Sequence, residues 1–338
     1  MKISRVTVSG FFGRYSLDWT INPKVNILSG INGSGKSTLL RAINTIIRGK
    51  HLAAPIDNRI QELTVWFDNN AHIQTSIAKN IEIGEEQIEK LLEKLALKDN
   101  KNNTPKDSTK LRTVSIQMMH ASKDGHEIEV EELIKDIHPS FISTFDMPAP
   151  VPKDPGELMD QIVKSSRSEL DRHLELIVDR YKTHQVELSN KMSQIFSDND
   201  NRFDDIKIAF KAKTLMQDII DRLFKESGKN LNREKGDLEF VFKSDGKSHP
   251  YTDLSAGEKQ LLLILLTVFL QEGKDAIIIM DEPEISLHVD WQIQLLDIIY
   301  ELNPNCQVIV STHSPSMILN DWQSSVENIS NLASGEPV

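Results

Sequence analysis

A glycine-rich segment, Gly30–Ser37 (GINGSGKS), constrains the fold of this 338-residue chain more than any other stretch. It matches the phosphate-binding pattern G-x-x-x-x-G-K-[ST] at every fixed position. The apolar run Val25–Leu28 before it predicts a strand, and the pattern of Thr38–Ile47 after it predicts a helix. A strand, a glycine turn and a helix in this order present backbone N–H groups and a positive helix end to an anion. We therefore expect a nucleoside triphosphate to bind here.

The residues of this loop have separate expected roles. Lys36 would reach the β- and γ-phosphates, and the Ser37 hydroxyl would bind Mg²⁺. The alternative is a glycine-rich turn that only caps a helix, and the strand before the loop disfavours that alternative. The predicted ATP-binding residues in this region are Asn32, Gly33, Ser34, Gly35, Lys36, Ser37 and Thr38.

A second apolar run, Asp275–Met280, has the continuous β-branched character of a buried parallel strand and ends in Asp281 and Glu282. Carboxylate oxygens are ligands that Mg²⁺ accepts, and a carboxylate can also act as a general base. We expect Asp281 to hold Mg²⁺ together with Ser37, and Glu282 to polarise the attacking water. A solvated acidic loop is the alternative.

A third run of this kind, Gln307–Ser311, leads into Thr312 and His313. In open parallel sheets, ligands bind beyond the carboxyl ends of the strands. The three runs would therefore deliver the residues that follow them to one crevice. There His313 could donate a hydrogen bond to the γ-phosphate and respond to its presence, whereas the alternative is a purely structural histidine.

The segment Leu254–Gln260 (LSAGEKQ) precedes another apolar helix. Ser255 with Glu258 three residues later is a capping box, which marks a helix N-terminus and needs no further function. The second interpretation is an exposed helix end at which the small Gly257 permits close approach of a γ-phosphate. On that interpretation Ser255, Gly257 and Glu258 also belong to the predicted ATP site.

Composition narrows the class of protein. The net charge of −11 argues against a broad nucleic-acid-binding surface and leaves room for a local basic groove. A single cysteine, Cys306, excludes an internal disulfide framework. No signal-peptide pattern opens the sequence, and the longest apolar run, Leu261–Leu270, is too short to cross a bilayer. These features predict a cytoplasmic protein without a membrane partner.

The pattern changes along the chain divide it into three predicted parts: an N-terminal lobe (1–152), a helical insert or lid (153–235) and a C-terminal lobe (236–338). Apolar residues three or four apart predict helix from Glu157 to Phe224, with a break at Ser197–Asn201. Two helices joined by a short polar turn form a hairpin. The pattern suits a protruding arm and a hairpin packed on the core equally well.

Four of these stretches together resemble the ABC-type ATPases. GINGSGKS looks like Walker A, LSAGEKQ like the signature, IIIMDEPE like Walker B, and STHSP like the switch-histidine loop. They occur in the family order, and the resemblance covers nearly the whole chain. It implies an α/β fold, namely a P-loop NTPase of ABC-head type with an antiparallel β subdomain and a helical insert.

Within that superfamily the chain is similar to the SMC, Rad50, RecF and OLD branch rather than to transporter subunits. It begins with a strand–turn–strand pattern over Ile3–Ile21, and the insert between Ser37 and Leu254 is longer than in transporter subunits. After Walker B it reads Glu284–His288 (EISLH), where transporter subunits carry Ser-Ala-Leu-Asp. Gly10–Tyr15 (GFFGRY) and its surroundings further resemble compact bacterial phage-defence ATPases of the Septu-type, retron-associated and OLD-like systems.

The resemblance implies a dimer mechanism. In these families two heads enclose two ATP molecules, and each site combines Walker A and B of one protomer with the signature of the other, here Ser255 and Gly257. Hydrolysis at Glu282 would separate the heads. For this chain the resemblance implies an ATP-hydrolysing homodimer, or a higher oligomer, that controls a separate effector of nuclease or Toprim type in antiviral defence or DNA repair. Nucleic acid would be reached directly or through that effector.

One position departs from the family pattern. Related compact ATPases carry a glutamine at the end of the strand before the helical insert, whereas Phe141–Met147 contains none. Gln117 could serve if the strands align differently. The departure bears on the hydrolysis rate and keeps open the alternative of an ATP-binding scaffold that hydrolyses slowly. A separate alternative is the ATPase subunit of a membrane transporter, which the sequence after Walker B disfavours.

Overall fold

The computed structural model describes residues 1–53, 56, 59–83, 112–143, 168–198 and 203–334. Within this part of the chain no helix combines the length and the apolar character that a membrane crossing requires. The strands are β1 (Ile3–Phe11), β2 (Tyr15–Thr20), β3 (Val25–Ser29), β4 (Glu62–Phe67), β5 (Ala71–Ile83), β6 (Arg112–Lys123), β7 (His126–Ile128), β8 (Pro139–Ser143), β9 (Lys229–Leu231), β10 (Glu239–Phe242), β11 (Ser248–Pro250), β12 (Ile277–Asp281), β13 (Gln307–Ser311), β14 (Val326–Asn328) and β15 (Ala333–Ser334). The helices are α1 (Lys36–Ile46), α2 (Val130–Ile134), α3 (Glu169–Asp198), α4 (Phe203–Phe224), α5 (Ala256–Phe269), α6 (Val289–Leu302) and α7 (Ile329–Leu332).

The centre of the molecule is a five-stranded parallel sheet in the order β14-β3-β13-β12-β8. Successive residues of a strand point to opposite faces, and both faces of this sheet are covered. Ile277 and Ile279 of β12 pack into the core on the α1 side, while Ile278 and Met280 pack into the core beneath α5 and α6. Burial on both faces explains why the strand sequences are continuously apolar rather than alternating.

The second layer is a seven-stranded antiparallel sheet in the order β15-β2-β1-β4-β5-β6-β7. Its strands alternate, and their apolar side chains face α1 and the parallel sheet; Val6, Trp19 and Val65 are at most 1% exposed. A small sheet, β11-β10-β9, lies next to α4. The fold class predicted from the sequence, a mixed α/β head with an antiparallel subdomain and a helical insert, is therefore confirmed.

The helical insert forms two long helices as predicted, α3 and α4, and the first part of the predicted helical stretch, residues 157–167, lies outside the described residues. Their buried side chains lie at one end of the pair: Leu174, Val178 and Tyr181 of α3 are at most 3% exposed, whereas Val186 is 60% exposed. The end near residue 174 therefore belongs to the main core, and His184 still contacts the buried ring of Phe269, with 5.4 Å between the ring centroids. The parallel sheet takes strands from both the first and the third predicted part, and the three-part division of the chain stays a prediction.

A buried glutamine, Gln307 at the start of β13, links the two layers. Its side chain accepts a hydrogen bond from the Ile3 backbone N–H (2.8 Å) and donates to the Ile3 carbonyl (2.7 Å) and the Asn22 carbonyl (2.7 Å). The side chain is fully buried. Because the bonds connect β1 and the β2–β3 turn to the central sheet, we expect this side chain to set the position of the antiparallel layer.

A Gln307→Leu variant keeps the side-chain volume and removes all three bonds. Each buried backbone group left unpaired costs about 1–3 kcal/mol, so we expect the free energy of unfolding in urea to fall by at least about 2 kcal/mol. The matched control is Gln294→Leu on α6, where the exposed amide donates to the Asp290 carbonyl within the same helix (3.0 Å). Equal stability of the two variants would contradict this interpretation.

Candidate nucleotide site

Three neighbouring strands of the parallel sheet, β3, β13 and β12, end at the same edge. Leu28 is in register with Ser311, and Ser311 is in register with Asp281. The glycine-rich loop, the histidine loop and the acidic pair therefore leave the sheet side by side. The crevice follows from the parallel arrangement, because every parallel strand ends on the same side.

Lys36 lies at the centre of this crevice. Its side chain is 4% exposed, and its ammonium donates to the carbonyls of Gly30 (3.0 Å) and Ile31 (3.2 Å). The ammonium nitrogen is also 2.7 Å from His313 Nε2. A lysine ammonium only donates hydrogen bonds, so Nε2 of the imidazole accepts and carries no proton in this arrangement. These contacts hold the charge of Lys36 in one place.

The candidate magnesium ligands are also adjacent. Ser37 Oγ donates to Asp281 Oδ1 (2.9 Å), which accepts a second bond from Ser311 Oγ (2.6 Å). Asp281 is fully buried, and Arg41 Nε lies 3.9 Å from its second carboxylate oxygen. A hydroxyl and a carboxylate at hydrogen-bond distance form an oxygen-only donor set, which suits Mg²⁺. The residues present therefore fit the ion that the sequence predicts.

Glu282 adopts a left-handed backbone conformation (φ 50°), which is uncommon for a residue with a side chain. Its Oε1 lies 3.5 Å from His313 Nε2. Burial raises the pKa of Glu282, the nearby charges of Asp281 and Glu284 act in the same direction, and the ammonium of Lys36 opposes them. A carboxyl group with a raised pKa at a strained position in a cleft has the character of a general base.

Burial also shifts the pKa of the neighbouring cation. The pKa of Lys36 is lowered by burial, and the three carboxylates at Glu282, Asp281 and Glu284 counteract the shift. Lys36 is therefore a buried cation among several acidic groups.

The loop itself has the geometry of an anion cradle. Gly35 has φ 97°, and a Cβ there would lie 2.6 Å from ring atoms of Phe11 and Phe12, so only glycine fits. The buried hydroxyl of Ser34 has no hydrogen-bond partner among the described residues. Asn32 is exposed beside it. An unpaired buried hydroxyl and backbone N–H groups at the start of α1 suit a phosphate group.

A cleft of about 710 Å³ opens next to the loop. Phe11, Phe12, Tyr15 and Ile31 contribute apolar surface to it, and Gly33 of the loop lines one side. A cavity of this size with an aromatic wall beside a phosphate cradle can hold a nucleobase. The sequence drew attention to the GFFGRY segment through the family resemblance alone, and its lining role was missed.

Arg59 is another residue that sequence reasoning missed. Its guanidinium donates to the Thr38 hydroxyl (3.1 Å) and lies 5.4 Å from the ring centroid of Phe12. The predicted ligand Thr38 is thus bonded to an arginine from a distant segment. No local pattern around position 59 indicates this contact, because it forms only when the chain returns to α1.

The signature residues lie at the start of α5. Ser255 and Glu258 form the predicted capping box, and Glu258 also pairs with Lys229 (2.6 Å) and is 2% exposed. None of the bonds found for Ser255 and Glu258 in the described part of the chain reaches the glycine-rich loop. The structure thus brings the loop, the acidic pair and His313 together, and gives the signature residues separate partners.

Gly257 is in close contact with the turn that follows β12. A Cβ on Gly257 would lie 2.3 Å from the Ser286 carbonyl oxygen, which is backbone and cannot rotate away. The glycine is therefore needed within the chain itself, in addition to the role predicted for it at a γ-phosphate.

We expect Gly257→Ala to lower the free energy of unfolding by about 1–3 kcal/mol, because the turn must move to admit the methyl group. Gly236→Ala is the matched control, since a Cβ there meets no atom within 4 Å. Chemical denaturation of both variants provides the measurement. A Gly257→Ala variant as stable as the parent would show that the turn moves to admit the methyl group without a loss of folding free energy.

The strand predicted to end without a glutamine is β8, and Ser143 at its end is in register with Asp281. Arg41 Nη2 lies 3.4 Å from Ser143 Oγ. Gln117 is on β6 in the antiparallel sheet, where its amide donates to Thr75 Oγ1 (2.7 Å). Gln117 therefore lies in the antiparallel sheet, whereas β8 lies next to β12; residues 144–147 of the segment without a glutamine fall outside the described residues. A separate cavity of about 780 Å³ between β8 and α3 contains none of the predicted site residues.

Comparison with solved structures supports the fold. An SMC head crystallised with the C-winged helix domain of ScpA superimposes with a TM-score of 0.54 at 17% identity, over 97% of this chain and 94% of that one. At this identity the likeness shows the fold alone.

Sequence comparison finds short local similarity to DNA replication and repair protein RecF. The RecF of Actinobacillus pleuropneumoniae serotype 5b is 40% identical over 60 residues, and that of Haemophilus ducreyi is 37% identical over 60 residues. Each match spans 18% of this chain and 17% of the relative, so less than a fifth of these curated relatives is covered.

The family is decided by a much longer match. The model of the AAA ATPase domain aligns with residues 1–318, a range that runs from β1 past His313 and includes every predicted site residue. The chain belongs to the AAA ATPase domain family.

Proposed function

We propose that the chain binds ATP with Mg²⁺ in this crevice and hydrolyses it. The observation that carries the proposal is the meeting of two pairs from distant segments, Ser37 with Asp281 and Lys36 with His313, at 2.9 and 2.7 Å. Lys36 would move its hydrogen bonds from the loop carbonyls to the β- and γ-phosphates. The aromatic cleft beside the loop would hold the base.

Ser37 and Asp281 would hold Mg²⁺, which supplies positive charge against the phosphate oxygens. Among the described residues no group of three His, Cys, Asp or Glu side chains is arranged for a metal, so the remaining ligands would be phosphate and water. Glu282 would orient the attacking water and accept its proton. His313 would then bond the γ-phosphate once Lys36 turns to the nucleotide.

We further propose that two copies close around two nucleotides. Ser255 and Gly257 would act on the nucleotide site of the other copy. This agrees with the hydrogen bonds found for Ser255 in the described part of the chain, none of which reaches the glycine-rich loop of its own copy. Large apolar side chains near the crevice are exposed, namely Ile31 (77%), Ile285 (38%) and Val289 (51%). Such surface suits burial against a second copy.

The effector remains part of the proposal. The short similarity to RecF and the resemblance to phage-defence ATPases support a separate nuclease or Toprim-type partner that acts on nucleic acid in antiviral defence or DNA repair. A slowly hydrolysing scaffold is the second candidate, and the observation that favours it is Ser143, rather than glutamine, beside Asp281.

The purified chain tests this function directly. We expect phosphate release from Mg–ATP, its loss in excess EDTA, and a doubling of the mass in light scattering with ATP but not with ADP. Binding and dimerisation with phosphate release indistinguishable from buffer would select the scaffold. Absence of ATP binding would refute both candidates.

A further inference from the structure

Glu284 connects two of the loops that form the site. It follows β12, and its Oε1 accepts hydrogen bonds from the Thr312 hydroxyl (2.6 Å) and from the His313 backbone N–H (2.8 Å). Its side chain is only 9% exposed. One buried carboxylate oxygen thus fastens the loop after β13 to the turn after β12.

A second side chain connects the same two loops from another direction. The Gln292 amide on α6 accepts a bond from Ser314 Oγ (2.6 Å) and donates to the Leu287 carbonyl (2.9 Å). His313 therefore lies between two fixed neighbours. Its backbone N–H is held by Glu284, and the residue that follows it is held by Gln292.

This fixation determines where the imidazole points. With its backbone N–H held, the His313 ring reaches Lys36 Nζ at 2.7 Å and Glu282 Oε1 at 3.5 Å. Both contacts depend on the loop position, because a shift of about 1 Å would move Nε2 outside hydrogen-bond range of Lys36. The two bonds to Glu284 are the direct constraint on that position.

We propose that Glu284 is a positioning residue, whose carboxylate oxygen holds the His313 loop so that the imidazole stands where the γ-phosphate of ATP would bind. The inference rests on the proposed ATPase function and assigns a role to a residue of the IIIMDEPE segment that the sequence did not single out. Glu284 acts through His313 and makes no contact of its own with the reacting atoms.

Two properties of Glu284, its geometry and its charge, can be separated by substitution. Glutamine retains an oxygen that accepts both bonds and removes the negative charge, whereas alanine removes both. Oε2 of Glu284 has no hydrogen-bond partner among the described residues, so an amide nitrogen there displaces no existing bond. The positioning role therefore requires the glutamine variant to function and the alanine variant to fail.

The experiment compares kcat and the Kd for Mg–ATP in the parent chain, Glu284→Gln, Glu284→Ala, His313→Ala and the Glu284→Ala/His313→Ala double variant. We expect Glu284→Ala to lower kcat about tenfold to a hundredfold, as misplacement of an active-site group does, with Kd within about threefold of the parent. Glu284→Gln should keep most of the parental kcat. The double variant should be no slower than the slower single variant, because both changes remove the same interaction. Glu234→Ala, at an exposed site, is the control for general effects.

A readout without nucleotide keeps this inference separate from the proposed function. Hydrogen exchange of the His313 amide should be protected in the parent and in Glu284→Gln and fast in Glu284→Ala. If the parent neither binds nor hydrolyses ATP, the proposed function fails. The exchange result still tests whether Glu284 holds the His313 backbone N–H. Equal kcat in Glu284→Ala and the parent, equal loss in Gln and Ala variants, or additive loss in the double variant would each overturn the positioning role.

Discussion

Replacement of Lys36 by alanine is expected to raise the Kd for Mg–ATP by about two orders of magnitude. A hydrogen bond from a charged donor contributes about 1.5–3 kcal/mol, and Lys36 would make more than one with the phosphates. The ammonium is already held by Gly30, Ile31 and His313, so little conformational freedom remains to be lost on binding. Isothermal titration calorimetry with Mg–ATP provides the measurement.

The control for this prediction is Lys50→Ala, which removes an exposed lysine shortly after α1 and leaves the loop unchanged. Thermal unfolding of the Lys36→Ala variant must accompany the titration, since the Gly30 and Ile31 carbonyls lose a donor. A folded Lys36→Ala variant that binds Mg–ATP as tightly as the parent would exclude the crevice as the nucleotide site.

Glu282→Gln is expected to leave Mg–ATP binding nearly intact and to reduce kcat about 10²–10⁴-fold, the range that a general base contributes. Glutamine has the shape of glutamate and cannot take a proton from water. Its binding role is small, because the phosphates would contact Lys36 and the loop. Single-turnover phosphate release measures the chemical step apart from product release.

The same variant tests the proposed dimer. If hydrolysis separates the two copies, the ATP-bound dimer of Glu282→Gln should outlive that of the parent in a subunit-exchange experiment. Glu234→Gln, at an exposed position, is the matched control. Equal dimer lifetimes in the parent and Glu282→Gln would show that hydrolysis does not control separation of the two copies. A Glu282→Gln variant with the parental kcat would show that Glu282 is not the general base.

Much of the crevice could be predicted because its motifs are local. Gly30–Ser37 combines a turn that requires glycine with a lysine and a serine at fixed spacing, and the Asp281–Glu282 pair directly follows an apolar run. The strands of the parallel sheet could also be predicted, because burial on both faces requires a continuous run of apolar residues. The two helices of the insert followed from residues spaced for one face. Ser197, the first residue of the predicted break Ser197–Asn201, still lies in α3, which runs to Asp198, and residues 199–202 are outside the described part of the chain.

The other contacts depend on pairs far apart in the chain. Gln307 bonds to Ile3 and Arg59 bonds to Thr38, and neither residue is marked by its neighbours in sequence. Glu284 is a partial exception, because a second carboxylate two positions after Glu282, near the end of a buried strand, indicates a possible site residue. Its contact with the histidine loop could not be predicted from the sequence.

The sequence by itself determined the chemical inventory of this protein, its fold class and the strands and helices that flank its motifs, because turns, caps and burial patterns are set by neighbouring residues. Only the tertiary structure decided which groups meet: the ammonium of Lys36 with His313, Gly257 with the Ser286 carbonyl, and Glu284 with the histidine loop. The physical reason is that these contacts join segments far apart in the chain. Parallel strand pairing and the packing of the two layers bring those segments to one edge of the sheet, and strand pairing depends on the backbone groups of distant strands rather than on neighbouring residues.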